Sequence, residues 1–112
     1  MQMLQQGAMD AVPTADFVVT NPTHVACALK YVAEEMDSPM LIAKGTELIA
    51  KKIIYIAKEN NVPVIEKPPV ARAVFRMVDI NHPIPPELYK AVAEILMFVY
   101  KMKNHSNKRP RN

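Results

Sequence analysis

Apolar residues follow two different periods along the chain. Compact β-branched runs and strict alternation predict strands, whereas apolar residues three and four positions apart predict helices. The predicted strands are 16–20, 25–31, 40–43 and 62–66. The predicted helices are a short one within 2–12, one that begins at Thr46, one from Pro68 to about Val78, and one that begins at Pro85. Interleaved strands and helices predict an α/β fold: a small mixed sheet of about four strands, surrounded by three or four helices and preceded by an N-terminal linker helix.

The connections between these elements refine the prediction. The first two strands are joined too tightly for a crossover helix, so we expect them to be antiparallel. The third strand is expected to end at residues 44–45, and residues 81–83 are expected to form a loop. In the second strand Cys27 and Leu29 share one face, and His24 points to the other. Cys27 is therefore expected in the core, and His24 outside it.

Length and composition limit the chain to one modest domain. Its 112 residues, 50% of them apolar, suffice for a single core. We expect the linker helix to span 1–12, the folded domain 13–103 and a flexible basic tail 104–112. Residues 101–112 carry five Lys or Arg and no acid, whereas the rest of the chain carries 9 basic and 11 acidic residues. The basic character therefore belongs to the tail.

Several classes of protein are disfavoured. No run approaches the roughly 18 to 20 consecutive apolar residues that span a bilayer, and no signal-peptide pattern begins the chain, so this chain alone is expected to be soluble. The single cysteine excludes an internal disulfide. We expect no cofactor and no metal, because His82 and His105 do not stand at ligand spacing with Cys27, and Gly7 and Gly45 do not form a phosphate-binding loop.

The dipeptide Asn21-Pro22, between the first two strands, carries the most informative chemistry. By itself it is ordinary turn sequence, since Asn suits the first turn position and Pro the second. In most sequences the next backbone nitrogen can attack the Asn side-chain amide, which leads to deamidation. Pro22 has no N–H, so this reaction is not possible here. The remaining intramolecular route is attack of the Asn21 side-chain nitrogen on its own carbonyl carbon, which closes a succinimide and expels Pro22 as a new N-terminus.

Such chain scission makes two demands. The attacking nitrogen must lie about 3 to 3.5 Å from the carbonyl carbon, which a tight turn can impose. A nearby acid or base must move protons, and His24, three residues away, is the residue type that most often does so. We expect Asn21 to be indispensable and His24 to modulate the rate. Without the neighbouring Asn-Pro, His24 would be interpreted as a surface histidine at a strand start.

The segment Val18–Tyr31, which contains Asn21-Pro22-Thr23-His24, resembles the signature of the flagellar export switch family and of its relatives in virulence-type type III secretion. The resemblance continues through 43–45, 59–63, 68–75 and 84–96. It therefore covers nearly the whole chain, from about residue 12 to residue 103.

This resemblance implies a cytoplasmic C-terminal domain of a longer protein whose N-terminal part has several membrane helices, at the cytoplasmic face of the bacterial inner membrane. Members of the family cleave themselves between the Asn and Pro of this motif, and the halves stay associated. Carried over, Asn21 supplies the attacking amide, Pro22 is the leaving nitrogen, and Thr23 and His24 shape the loop. The activity is then a single-turnover autoproteolysis and not a turnover reaction.

The resemblance also implies a role and partners. The cleaved domain helps to switch export from rod- and hook-type subunits to filament-type subunits. Its expected partners are other flagellar export-apparatus proteins, export substrates, the hook-length control protein and its own cleaved fragment.

Three alternatives stay open on sequence alone. A virulence-type secretion homologue would have the same chemistry with different substrates. A small basic nucleic-acid-binding domain would use residues 101–111, but the few Tyr and Phe lie mostly at core positions and the last helix lacks a dense basic stripe, so no nucleic acid is expected. A conventional hydrolase would pair His24 with Cys27, which point to opposite faces of one strand.

Overall fold

The computed structural model of this chain describes residues 2–22 and 24–107. Five strands and four α-helices lie in this part of the chain. In chain order they are α1 (Gln2–Ala11), β1 (Phe17–Asn21), β2 (Val25–Lys30), β3 (Met40–Thr46), α2 (Glu47–Glu59), β4 (Val64–Glu66), α3 (Pro68–Met77), β5 (His82–Pro83) and α4 (Tyr89–Asn107). Short 3₁₀ turns, Val12–Thr14 and Pro86–Leu88, come before β1 and α4.

The strands form one mixed sheet in the order β4-β1-β2-β3-β5. β1, β2 and β3 pair antiparallel, β5 pairs antiparallel with β3, and β4 runs parallel to β1. The predicted antiparallel pairing of the first two strands and the predicted mixed sheet are confirmed. The β1–β2 hairpin lies inside the sheet and not at its edge, because β4 pairs with β1 and β3 pairs with β2.

Helices cover both faces of the sheet and create two cores. Helices α3 and α4 pack on the face that carries Cys27 and Leu29, and α1 and α2 pack on the face that carries Ala26 and Ala28. Successive strand residues point to opposite faces, so a strand covered on both sides is apolar throughout. This explains why Val25–Leu29 is buried at every position.

Strand β3 is longer than predicted, since it continues through Gly45 to Thr46. Gly45 pairs with Ala26 across the sheet, and a Cβ atom at Gly45 would collide with Cγ2 of Ile49 in α2. Glycine at this position therefore allows the close approach of a helix and does not end the strand. The helix predicted to begin at Thr46 has Thr46 as its N-cap, but the Thr46 side chain makes no capping hydrogen bond.

The predicted fourth strand is shorter in the structure. It begins at Val64, because the N–H of Val62 donates to the carbonyl of Ala57 over 2.8 Å and so belongs to the end of α2. Asn61, between them, has φ 60°, the left-handed conformation that often closes a helix.

Residues 81–83, predicted to be a loop, contain strand β5. The N–H of Asn81 donates to the carbonyl of Leu41 over 2.6 Å, and the N–H of Ile84 donates to the carbonyl of Pro39 over 3.0 Å. These two bonds hold a segment of low strand propensity against the open edge of β3, so tertiary pairing overrides the local turn sequence.

Helix α4 continues to Asn107, beyond the predicted start of the tail at residue 104. Residues 108–112 of that tail lie outside the described residues, and the limits 1–12, 13–103 and 104–112 stay predictions. None of the helices within the described residues combines the length and the apolar character needed to cross a membrane.

Lys44 of β3 attaches the end of α3 to the sheet. Its Nζ donates to the carbonyl oxygens of Phe75 and Val78 over 2.9 and 2.8 Å, and it lies 4.8 Å from the centroid of the Phe75 ring. The last carbonyls of a helix have no intrahelical donor and carry partial negative charge. The Lys44 cation therefore caps α3 from a neighbouring strand.

Candidate functional site

The predicted reaction site is the turn that closes the β1–β2 hairpin. Asn21 is the last residue of β1 and pairs with Val25, the first residue of β2, which leaves a three-residue connection. The backbone N–H of His24 donates to the carbonyl oxygen of Asn21 over 2.9 Å. Thr23, one of the four predicted site residues, lies outside the described residues. The structure thus brings Asn21 and His24 together through their backbones.

This turn hydrogen bond falls on the carbonyl of the Asn21-Pro22 peptide bond. The donor polarises that carbonyl and lies where negative charge would build up on the oxygen if a nucleophile attacked the carbon. Backbone N–H groups aimed at such an oxygen are the usual components of an oxyanion hole. Sequence reasoning assigned only the His24 side chain to the chemistry and missed its backbone N–H.

The residue before Asn21 is held by the segment that follows β4. Thr20 is buried, and its carbonyl accepts a hydrogen bond of 3.0 Å from the N–H of Lys67, at the end of β4. Asn21 is the first position of β1 beyond this support, because the pairing with β4 ends at Thr20. The site therefore has one rigid side and one exposed side.

The Asn21 side chain carries the amide nitrogen of the predicted attack. Asn21 is half-buried and Pro22 is exposed. Within residues 2–22 and 24–107, no hydrogen bond holds the Asn21 amide group. Cyclisation requires this amide nitrogen to approach the carbonyl carbon of Asn21.

The imidazole of His24 faces solvent and contacts α2. Its Nδ1 lies 3.3 Å from Oε2 of Glu47, and the two side chains are 65% and 68% exposed. The predicted surface position of His24 is thus confirmed. Within the described residues this carboxylate is the polar side chain that contacts the ring, and an exposed pair of this kind contributes little to the stability of the fold.

Glu47 also contacts His24 through its backbone, because its N–H donates to the His24 carbonyl over 3.2 Å. Its φ of 48° lies in the left-handed region, which costs a non-glycine residue about 1–2 kcal/mol. Sequence reasoning did not single out this residue. The pairing of Val25 with Thr46 puts Glu47 next to His24. A sequence prediction that extended the third strand to Thr46 would have brought these two residues together.

Cys27 is inert in this fold. It is fully buried, and its Sγ donates to the carbonyl of Ala71 at 3.6 Å. Burial raises the pKa of the thiol from 9.0 to about 12, although the charge of Lys44 acts in the opposite direction. The predicted core position of Cys27 is confirmed. A buried, protonated thiol on the other face of the strand from His24 does not act as a nucleophile.

No group of three or more His, Cys, Asp or Glu side chains in the described part of the chain is arranged to hold a metal ion. Among the described residues, Asn21, Pro22 and His24 form the turn, and Glu47 lies beside them.

Comparison with known proteins places this geometry in a family. The sequence profile of the FlhB HrpN YscU SpaS family matches residues 1–99. The chain belongs to this family. Its fold is that of the cytoplasmic C-terminal domain, as the resemblance of the motif implied.

Individual relatives agree with this assignment. Flagellar biosynthetic protein FlhB of Bacillus subtilis is 48% identical over 102 residues, which cover 91% of this chain and 28% of that protein. The crystal structure of the cytoplasmic domain of FlhB from Shewanella putrefaciens has a TM-score of 0.89 at 36% identity, and the match covers 96% of this chain and 83% of that chain. This chain spans about a quarter of the length of its curated FlhB relatives.

The family fold also occurs in EscU. Crystal structures of two mutated EscU C-terminal domains, with alanine in place of an asparagine or of the proline that follows it, have TM-scores of 0.79 and 0.78 at 27% identity. The matches cover 82% and 81% of this chain and 92% and 90% of the EscU chains.

Proposed function

We propose that this chain is the cytoplasmic domain of a flagellar type III export membrane protein and that it cuts its own backbone once, between Asn21 and Pro22. The observation that carries the proposal is the hydrogen bond from the His24 N–H to the Asn21 carbonyl, at the tip of a three-residue hairpin connection. This N–H would stabilise an oxyanion on the carbonyl of the one Asn-Pro peptide bond in the chain, where the missing N–H of Pro22 favours scission over deamidation.

The proposed reaction has two steps at the same carbon. First, Nδ2 of Asn21 loses a proton and attacks the Asn21 carbonyl carbon, and the resulting oxyanion accepts from the His24 N–H. Then the C–N bond to Pro22 breaks, the Pro22 nitrogen gains a proton, and a succinimide is left on residue 21. The His24 imidazole carries the proton from one nitrogen to the other. Water later opens the succinimide.

Two findings from the relatives support this proposal. The EscU domains were altered at an asparagine and at the proline next to it, the same pair of residue types as Asn21-Pro22. The flagellar branch is supported by the 48% sequence identity to the FlhB proteins of Bacillus subtilis and Salmonella typhimurium. A virulence-type secretion protein is the alternative, with the same chemistry.

After the cut, the domain takes part in switching export from rod- and hook-type subunits to filament-type subunits. Its partners are export substrates, other export-apparatus proteins and the hook-length control protein, at the cytoplasmic face of the inner membrane. Helix α4 supports a role in protein binding, because it exposes large apolar side chains that a surface helix normally keeps inside. These side chains are Tyr89, Met97, Phe98, Tyr100 and Met102.

Denaturing mass spectrometry of the purified chain tests this function. Wild type is expected to yield fragments 1–21 and 22–112, and Asn21→Ala is expected to remain intact. Pro22→Ala restores an N–H at position 22, so it should divert Asn21 from scission to deamidation without a cut. An uncut wild-type chain after long incubation contradicts the proposal for this domain alone.

A further inference from the structure

We propose that Glu47 is a positioning residue for His24: it holds the imidazole proton on Nδ1 and so leaves Nε2 as the base of the cleavage reaction. This inference rests on the proposed self-cleavage. It adds Glu47 to the residues that take part in the reaction. Glu47 belongs to α2 and lies outside the β1–β2 hairpin.

The contact between the two side chains decides which ring nitrogen carries the proton. Nδ1 of His24 lies 3.3 Å from Oε2 of Glu47. An ionised carboxylate only accepts hydrogen bonds, so Nδ1 must be the donor and must carry a proton. In the neutral ring Nε2 is then unprotonated and accepts a proton. A carboxylate that fixes the tautomer and orientation of a histidine is a recurrent arrangement in acid–base catalysis.

The backbone of Glu47 fixes the place from which its carboxylate acts. Its N–H donates to the His24 carbonyl over 3.2 Å, so the two residues are joined at two points. Its φ of 48° shows that the chain accepts a left-handed conformation at a residue with a side chain. Strained backbone held by its surroundings occurs often at functional sites.

The size of the effect follows from the exposure of the pair. Both side chains are about two-thirds exposed, and exposed ion pairs are weak because water screens them. We therefore expect Glu47→Gln to slow cleavage roughly two- to fivefold and not to stop it. Glutamine keeps the shape of the side chain but both donates and accepts, so it no longer selects one tautomer.

The experiment follows the appearance of fragment 22–112 by intact mass in Glu47→Gln, in Glu47→Gly and in the matched control Glu59→Gln, an exposed carboxylate at the other end of α2. Glu47→Gln and Glu47→Gly should both slow cleavage, and Glu59→Gln should leave the rate unchanged. Glu47→Gly also relieves the backbone strain, so its melting temperature should rise while its cleavage slows. Slower cleavage in a more stable protein separates positioning from a structural effect.

Two further measurements test whether the carboxylate acts through the ring, and the second of them does not depend on cleavage. In a His24→Ala background, Glu47→Gln should cause no additional slowing, because the carboxylate acts through the ring. In intact Asn21→Ala protein, ¹⁵N NMR should find the His24 proton on Nδ1, and adding Glu47→Gln should move the tautomer population toward Nε2–H. Equal cleavage rates for Glu47→Gln and wild type, or slowing that persists without His24, would overturn the proposal. A wild-type chain that never cleaves would overturn the proposed self-cleavage. A His24 tautomer that does not change in Glu47→Gln would overturn the proposed role of Glu47, whether or not the chain cleaves.

Discussion

The backbone N–H of His24 donates to the carbonyl oxygen of Asn21 over 2.9 Å, while Nδ1 of the His24 ring lies 3.3 Å from Oε2 of Glu47. One residue thus offers two different groups to the reaction, a backbone donor beside the scissile carbonyl and an imidazole on the solvent side. Because these groups are chemically independent, mutations at position 24 can remove one or both of them.

His24→Ala is expected to slow cleavage by about 10²-fold, the lower end for a lost acid–base group, since the ring is largely exposed. His24→Pro loses the N–H as well as the ring, and it should be slower again by about 10²-fold or more, the effect of removing an oxyanion donor. Intact mass spectrometry over time gives both rates.

The control for these variants is His82→Ala, which removes an exposed histidine far along the sequence in β5 and should cleave like wild type. Circular dichroism checks that each position-24 variant is folded. Equal rates for His24→Ala and His24→Pro in folded proteins would mean that the backbone donor has no role.

The two fragments are expected to stay together after the cut. β1 belongs to fragment 1–21, yet it lies between β4 and β2 of fragment 22–112 and buries Phe17, Val18 and Val19 completely. Its removal would expose that apolar surface and leave two strand edges unpaired. Size-exclusion chromatography in native buffer should therefore show both fragments in one peak, and denaturant should separate them.

Phe17→Ala tests whether burial of β1 holds the fragments together. Loss of a buried Phe typically costs about 3–5 kcal/mol, so fragment 1–21 should leave this variant at much lower denaturant concentrations. Release of fragment 1–21 from the cleaved wild type in native buffer would show that the sheet does not retain it.

Lys44→Met should destabilise the fold without affecting the turn. The variant keeps the apolar stem but leaves the carbonyls of Phe75 and Val78 without their charged donor. Hydrogen bonds from a charged group contribute about 1.5–3 kcal/mol, so we expect a loss of about 2 kcal/mol or more in the free energy of unfolding. Urea denaturation of the intact Asn21→Ala protein measures it. Lys51→Met, at an exposed position of α2, should change stability by no more than about 0.5 kcal/mol.

Cys27 makes stability depend on pH in the alkaline range. Burial raises the pKa of its thiol from 9.0 to about 12. Between these values the unfolded chain has released the thiol proton and the folded chain still holds it, so the folded state binds more protons and stability falls as pH rises. Below pH 9 the thiol is protonated in both states and contributes no pH dependence.

Cys27→Ala should remove the part of the stability loss at alkaline pH that the thiol causes. Urea midpoints of Asn21→Ala protein, with and without Cys27→Ala, are to be compared from pH 7.5 to 10.5. The two curves should run parallel below about pH 9 and converge above it. Curves that stay parallel throughout would mean that the buried thiol does not titrate as described.

The parts of the fold that follow from local pattern were predictable from the sequence. Alternation in residues 25–31 correctly put Cys27 in a core, because side-chain direction in a strand depends only on parity. His24 is exposed for a different reason: it lies in the turn before β2, whereas Ala26 and Ala28, which share its parity, are buried in the second core. The Asn21-Pro22 turn was likewise a local feature. What could not be predicted depends on distant partners: β5 pairs with the edge of β3. Strand β3 extends to Thr46 because Gly45 and Thr46 pair with β2, and residue 45 is glycine because Ile49 leaves no room for a side chain.

The site itself was predicted in part for the same reason. Asn21 and His24 are neighbours in sequence, so their proximity needed no tertiary information. Glu47 is 23 residues away from His24, and only the register of β2 against β3 brings it there. The backbone N–H of His24 was missed because the identity of a residue gives the chemistry of its side chain only. The turn hydrogen bond depends on backbone geometry, which the structure shows.

The measurement that tests the central claim most directly is time-resolved intact mass spectrometry of fragment 1–21 from freshly purified wild type, beside Asn21→Ala. Cyclisation by the Asn21 side chain predicts that this fragment first appears one water lighter than the hydrolysed product, as a C-terminal succinimide, and gains that water later. Asn21→Ala should give no fragment at all. A wild-type fragment that appears at the hydrolysed mass from the start, or a cut before Pro22 in Asn21→Ala, would contradict the account.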